Sequence, residues 1–240
     1  MILQTATLPC IGLGQLMKSS VVLSAPGAPP KNSRDQGLSK REAILDAATR
    51  VFLAHGYEGA SMDLVAQESG AARRTVYNQF ESKDALFNAA VERVWKDMPV
   101  VGIMADEAAL QDPGLGLRKV GLLIADFWAP DQAVAFVRMV ISESNRFPDL
   151  AENFVRLGKM PALRALIDYI SALKDRGLIK VEDPDLAARQ FVGLVNEPLL
   201  WYRVIGVGGA PSKARRHQVV EEAVATFLAR YGTNGKAAAS

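Results

Sequence analysis

Arg74 and Asn78 stand four residues apart in the run Arg73-Arg-Thr-Val-Tyr-Asn78, a spacing that puts both on one face of a helix. An arginine can meet both major-groove acceptors of guanine and an asparagine can pair with adenine, while the hydroxyls of Thr75 and Tyr77 can reach phosphate oxygens. Advancing about 100° per residue from Ala72, the apolar Ala72, Val76 and Phe80 centre on about 40°, whereas Arg74 and Asn78 point to about 200° and about 240°. The polar pair thus lies opposite the side that must be buried. A solvated face on a core helix has the same pattern in isolation, so the surrounding elements decide what the stripe is for.

Few other residues offer chemistry. Cys10 is the single cysteine, and His55 and His217 are the only histidines. No nucleophile is paired with a base, and the sequence has no G-x-S-x-G, phosphate-binding glycine loop or H-E-x-x-H. Glu143 and the neighbours Glu221 and Glu222 read as solvated or structural carboxylates, His55 as a residue of a helix's last turn, and Gly206-Val-Gly-Gly209 as a loop between helices. No catalytic residue, metal site or cofactor is expected. A net charge of +2, with 49% hydrophobic and 22% charged residues, describes an ordinary globular chain, so any surface for nucleic acid must be built locally.

The elements that must position the stripe are legible as helices. Ser39-Lys-Arg-Glu42 is a capping box, followed by Ile44, Ala47, Ala48, Val51 and Phe52 at helical spacing and closed by His55-Gly56. Ser61 caps a second helix that carries Asp63 in its first turn and stops at Gly70; a third, short helix runs over 72–80, with alanine in the capping position; Ser82 caps a fourth. Two short helices joined by a tight glycine turn and braced by a longer one form a helix-turn-helix, which sets the second short helix into the major groove. Beyond Pro99, helices are expected over 116–128, 131–145, 150–158, 162–176, 185–205 and 212–231, and no stretch alternates as a strand would. The fold class is all-α.

Residues 1–37, rich in Ser, Pro and Gly, read as a flexible arm, with Met17 as the expected true start; 38–85 form the helix-turn-helix unit, 86–232 a helical regulatory and dimerisation domain, and 233–240 a disordered tail. No apolar run is long enough to span a bilayer, and a cytoplasmic, membrane-free protein is expected.

Read as a whole, residues 39–87 resemble the DNA-binding domain of the tetracycline-repressor (TetR) family, matching its motif at Phe52, Gly56, Tyr57, Ser61, Gly70, Thr75, Tyr77, Phe80, Lys83 and Leu86. The resemblance implies a transcriptional regulator, a repressor released by a small-molecule effector, that binds a near-palindromic double-stranded DNA operator as a homodimer. It implies that Ser61 and Lys83 hold phosphates while Arg73, Arg74, Thr75, Tyr77 and Asn78 meet the groove. It also implies a dimer bundle from the last two long helices, drawing on Phe191, Leu194, Val195, Leu199, Trp201, Val220, Val224, Phe227 and Leu228. An apolar effector cavity is implied as well, for which Met104, Phe127, Trp128, Phe136, Met139 and Trp201 are candidates. The segment Arg138–Phe154 resembles the C-terminal domain of AefR-like members. Other readings of the same helices are an activator, or an all-helical interaction protein that has lost DNA binding. One tension is electrostatic: over residues 39–87 six basic side chains face seven acidic ones, so the groove face must be made positive by segregation of charge.

Overall fold

The computed structural model describes residues 33–96 and 99–233; the chain before Ser33, with Cys10 and the expected start at Met17, and the tail after Thr233 lie outside these residues. Among the described residues the structure is helical and contains no strand, only one isolated bridge between Ile179 and Gly232. The all-α expectation holds.

Helix α1 spans Ser33–Gly59, beginning before the predicted Ser39. The arm predicted over 1–37 is therefore helical in its last five residues. Gly37 costs only about 1 kcal/mol inside a helix. The helical path breaks at Gly56, whose φ of 70° suits glycine. A Cβ there would also lie 2.6 Å from Oε1 of Glu143. Helices α2 (Met62–Ser69), α3 (Arg73–Gln79) and α4 (Lys83–Lys96) follow. Ser61 caps α2 by accepting from the Leu64 N–H at 3.2 Å, and Gly70 ends it at φ 67°. Ser82 caps α4 through the Ala85 N–H at 3.1 Å.

The second half begins with a 3-10 turn over Pro99–Ala105 and a short α5 (Glu107–Gln111), neither of which the apolar periodicity signals. Helices α6 (Pro113–Phe127) and α7 (Asp131–Glu143) stand close to their expected positions. The next two expected helices are one: α8 (Pro148–Asn153) passes through a π turn, Phe154–Lys159, into α9 (Met160–Asp175). Pro161 alone argues for a break, because a proline ring collides with the carbonyl four residues back; the widened π turn relieves that contact and the helix continues. Pro198 is accommodated in the same way, between α10 (Pro184–Asn196) and α11 (Tyr202–Val204), by a π turn over Glu197–Trp201. Helix α12 (Lys213–Tyr231) completes the chain.

Two buried clusters organise these helices. One joins α1–α4 to α7 and α8, with Phe52, Phe87, Phe136 and Leu150 at its heart. The other holds α6, α9, α10 and α12 together around Leu117, Tyr169, Phe191 and Phe227. Gly121 lets α6 approach α12, since a Cβ there would lie 2.7 Å from Cγ1 of Val220, and the same pair is tied by a two-pronged Arg118–Glu221 bridge at 2.6 and 3.0 Å. Trp95 of α4 packs against both clusters, and α7 enters both through Val134 and Phe136, so these two helices link the halves. Among the described residues no single helix is long and apolar enough to cross a membrane.

Candidate nucleic-acid interface

Helix α3 is held by its apolar side. Val76 and Phe80 are buried against α1 and α2, and the Arg41 guanidinium lies 5.0 Å from the Phe80 ring centre. What the period predicted for the opposite side is observed: Arg74 and Asn78 are exposed, Tyr77 is 47% exposed and Thr75 is half-buried on the flank. Ala72 makes no side-chain cap, as expected of alanine, so the first N–H groups of α3 are left to outside acceptors.

Most of the acidic side chains around this face are paired. Of the seven carboxylates between residues 39 and 87, five are in ion pairs: Glu42 and Asp46 with Arg93, Glu58 with Arg146, Asp63 with Arg73 and Glu68 with Arg50. Asp84 accepts from the Tyr57 hydroxyl. Two of these partners, Arg93 and Arg146, come from outside the segment whose charges balance unfavourably. Arg74 makes no ion pair among the described residues and stays available on the outer face. Arg73 is held at 2.6 Å by Asp63, but both side chains are about half-exposed or more, and a bridge of that kind is weak enough to be exchanged for a phosphate.

Lys83 departs from expectation. Instead of facing outward to a phosphate, its ammonium donates to the carbonyls of Tyr57 (2.9 Å), Glu58 (3.3 Å) and Ala60 (3.2 Å), and sits 4.6 Å from the Tyr57 ring centre. An ammonium has three hydrogens, and these contacts use all of them. Lys83 thus clamps the start of α4 onto the α1–α2 turn, where those carbonyls would otherwise lack partners. Tyr57 completes the joint. Burial, and then the hydrogen bond to Asp84, hold its phenol well above the ordinary tyrosine range, so it stays a neutral donor. Its ring packs on Phe52, Phe87 and Phe147. Ser61, expected at a phosphate, spends its hydroxyl oxygen on the α2 cap while remaining exposed.

The effector candidates divide sharply. A largely apolar cavity of about 180 Å³ lies between α4, α6, α9 and α10, and Trp128 borders it. Phe127 and Phe136 instead border a separate cleft beside α4, Met139 is buried in the cluster shared with α1–α4, and Met104 and Trp201 are exposed, the latter at 57%. The cavity is walled by Trp95, Phe154 and Leu200 in addition to Trp128, with Asn196 and Lys159 as its polar members. Sequence periodicity missed these because it marks apolar helix faces without saying which faces leave a gap. The available signal was Pro161 and Pro198, prolines within helical segments that force the π turns bordering the cavity. From this cavity a chain of ring contacts runs Trp95–Phe154, Phe154–Phe136, Phe136–Phe87 and Phe87–Tyr57, with centroid distances of 5.8, 6.2, 5.6 and 5.5 Å. It ends beneath the α1–α2 turn.

Of the residues expected to form the dimer bundle, Phe191, Val195, Leu199, Val220, Val224 and Phe227 are buried within the protomer's own core. They close the fold and are not available to a second copy. Leu194 and Trp201 are exposed, and beside them are the unpredicted Leu186, Tyr202 and Ile205.

Comparison with known proteins agrees with this architecture. Residues 44–90 match the sequence profile of bacterial regulatory proteins, tetR family, and residues 115–233 match that of the AefR-like transcriptional repressor, C-terminal domain. An HTH-type transcriptional repressor of Mycobacterium tuberculosis is 34% identical over 90 residues, 35% of this chain and 48% of that protein, so this match spans about half of the relative's length. The HTH-type transcriptional regulator YhgD of Bacillus subtilis is 30% identical over 159 residues, 63% of this chain and 78% of YhgD. Among solved structures, a TetR-family transcriptional regulator of Mesorhizobium loti superposes with a TM-score of 0.71 at 26% identity, over 82% of this chain and 98% of that one. The flavonoid-responsive regulator FrrA superposes with a TM-score of 0.64 at 28% identity over the same shares.

Proposed function

This chain belongs to the TetR family of DNA-binding transcriptional regulators, and from that premise we propose that it is a repressor that reads a near-palindromic operator as a homodimer and leaves it when a small molecule enters the cavity beside Trp95. The observation that carries the reading is the outward stripe of α3. Arg74 and Asn78 are exposed on a helix whose other side is buried, and six of the seven acids over residues 39–87 are engaged by partners, Glu81 being the exception among the described residues. Arg74 and Asn78 make the base contacts, Arg73, Thr75 and Tyr77 contact phosphate and groove edge, and the exposed Ser61 contributes a phosphate contact at the α2 N-terminus. Lys83 acts indirectly by fixing α4 to the α1–α2 turn. We place the DNA-binding unit at 38–85 and the regulatory unit at 86–232, with α4 anchored in both.

The exposed apolar side chains Leu194, Trp201 and Ile205 support a dimer face along α10 and α11. Two copies related by a twofold axis would hold their α3 helices about 34–36 Å apart, one turn of DNA. The cavity supports effector response because its wall includes Trp95 on a helix that links the halves, and the aromatic chain gives a displaced Trp95 a packed route to the α1–α2 turn. The effector then acts by favouring a spacing of the two DNA-binding units that fits the duplex less well. The responsiveness carried in FrrA's name points the same way.

The test is selection of binding sites from genomic DNA, followed by titration of the selected duplex. Arg74→Ala with Asn78→Ala is expected to abolish sequence preference, each side chain contributing about 1–3 kcal/mol of base discrimination. Unchanged affinity and preference would support the interaction-protein reading. A selected site that raises transcription when bound would make the protein an activator built from the same parts.

A further inference from the structure

The cavity between α4, α6, α9 and α10 holds about 180 Å³, less than the ~300 Å³ at which ligand sites ordinarily begin. A second space of about 480 Å³, walled by α1, α4 and the first π turn, shares two lining residues with it, Trp95 and Ala162. An indole and a methyl group are thus the wall common to both. The π turn serves both sides as well: Phe154 and Lys159 border the cavity, Leu157 and Gly158 the outer space. That outer space reaches the surface, where Glu42, Glu92, Lys96 and Pro161 are exposed. The Trp95 side chain is seated by packing alone. Its Nε1 has no hydrogen-bond partner and lies against Gly158, where a Cβ would come within 2.3 Å; its ring meets Phe127, Trp128 and Phe154 at centroid distances of 4.7, 5.9 and 5.8 Å. A buried N–H left unpaired is costly, so an indole that swings outward gains a hydrogen bond with water against the packing it loses.

The charges of the outer space are unequally occupied. Arg93 is engaged by Glu42 and Asp46, whereas Arg41 and Lys96 make no ion pair among the described residues, and Glu92 is the one acid of this lining without a partner there. The Arg41 guanidinium rests instead 5.0 Å from the ring centre of Phe80, the residue that ends α3. No carboxylate lines the cavity itself, and its one charged member is Lys159.

We propose that Trp95 is a movable partition and that the effector spans it, with an apolar ring or chain in the cavity and a single anionic group in the outer space, held by Arg41 and Lys96. A ligand confined to the cavity has too little room, whereas the two spaces joined reach ordinary ligand size. A cationic end group would meet Arg41, Lys96 and Lys159 and only Glu92 in its favour. The anionic group also reaches the reading helix by a short path: an Arg41 drawn onto it leaves the Phe80 ring, which loosens the end of α3. The inference rests on the effector-responsive reading above and deepens it.

The experiment is calorimetric titration of the full chain, free of DNA, with benzene, 6-phenylhexanoate and 6-phenylhexan-1-ol. Benzene fits an apolar cavity of about 150 Å³ and needs no second space. The acid and the alcohol carry the same ring and tether and differ in the charge at the far end. The acid is expected to bind about 3- to 10-fold more tightly than the alcohol, by a margin that shrinks in high salt, and to displace benzene. Arg41→Gln with Lys96→Gln should erase that margin and leave benzene affinity in place, and Glu92→Gln should widen it. With Trp128→Phe and Trp201→Phe leaving Trp95 as the sole indole, the acid should shift its emission to longer wavelength and benzene should not. Equal affinity for acid and alcohol overturns the anionic end. An acid that binds without displacing benzene, or that leaves the Trp95 emission unchanged, overturns the partition, and failure of all three probes to bind overturns both. The affinity and displacement results are read on the unaltered protein and do not depend on the variants folding. Adding the selected operator separates the two levels: an acid that binds as expected without releasing DNA leaves the ligand class standing and refutes effector-driven release. Operator binding with no preference for the acid does the reverse.

Discussion

Replacing Lys83 with methionine keeps most of the apolar stem and removes the ammonium, and the two roles open to this residue predict different outcomes. In the structure the charge is engaged by the carbonyls of Tyr57, Glu58 and Ala60 and by the Tyr57 ring. A hydrogen bond from a charged donor contributes about 1.5–3 kcal/mol when well protected. Here three bonds share one ammonium in a half-buried site where water can replace part of them, and the ring contact adds about 0.5–1 kcal/mol. We expect Lys83→Met to destabilise the protein by about 2–3 kcal/mol. For a chain of this size, in which 1 kcal/mol moves Tm by about 2–4 °C, that is a fall of about 4–12 °C. The companion measurement is operator affinity against salt. Removing one phosphate-binding cation lowers the salt slope by about 0.9, so a phosphate-binding Lys83, present twice in a dimer, would lower it by about 2. A clamp leaves the slope unchanged while weakening affinity at every salt concentration. An unchanged Tm together with a slope reduced by about 2 would refute the clamp and restore the phosphate role implied by family resemblance.

Other consequences follow from the packing. Leu194→Ser with Trp201→Ser changes only exposed side chains, so sedimentation should show a monomer with Tm almost unaltered; a persistent dimer would move the interface elsewhere. Gly121→Ala forces a methyl to within 2.7 Å of Val220 and should cost about 1–3 kcal/mol, and adding Val220→Ala should recover part of it; denaturant unfolding of the double variant checks the coupling. Tyr57 is held above its ordinary range near 10, by burial first and the Asp84 bond second. Its contribution to stability is therefore complete below about pH 10 and is lost as pH climbs beyond that. Urea midpoints at pH 9 and pH 11 should fall less for Tyr57→Phe than for the unaltered protein; equal falls would show that Tyr57 is not the titrating group.

What the sequence determined by itself is what neighbouring residues settle among themselves. The caps at Ser61 and Ser82, the stop at Gly70 and the outward stripe of α3 were all readable, because each involves groups within a few positions along one helix. Tertiary structure decided whatever depends on which surfaces meet. The Lys83 ammonium finds carbonyls 23–26 residues earlier in the chain, a contact that motif position cannot reveal. Phe191, Val220 and Phe227 look like an interface stripe until packing buries them in their own protomer. Helical periodicity reports that a face is apolar but says nothing about where opposed faces fail to touch. For that reason Trp128 was within reach as a cavity residue while Trp95, Phe154 and Asn196 were not. A cavity is the space left between helices distant in sequence, and no local pattern encodes it.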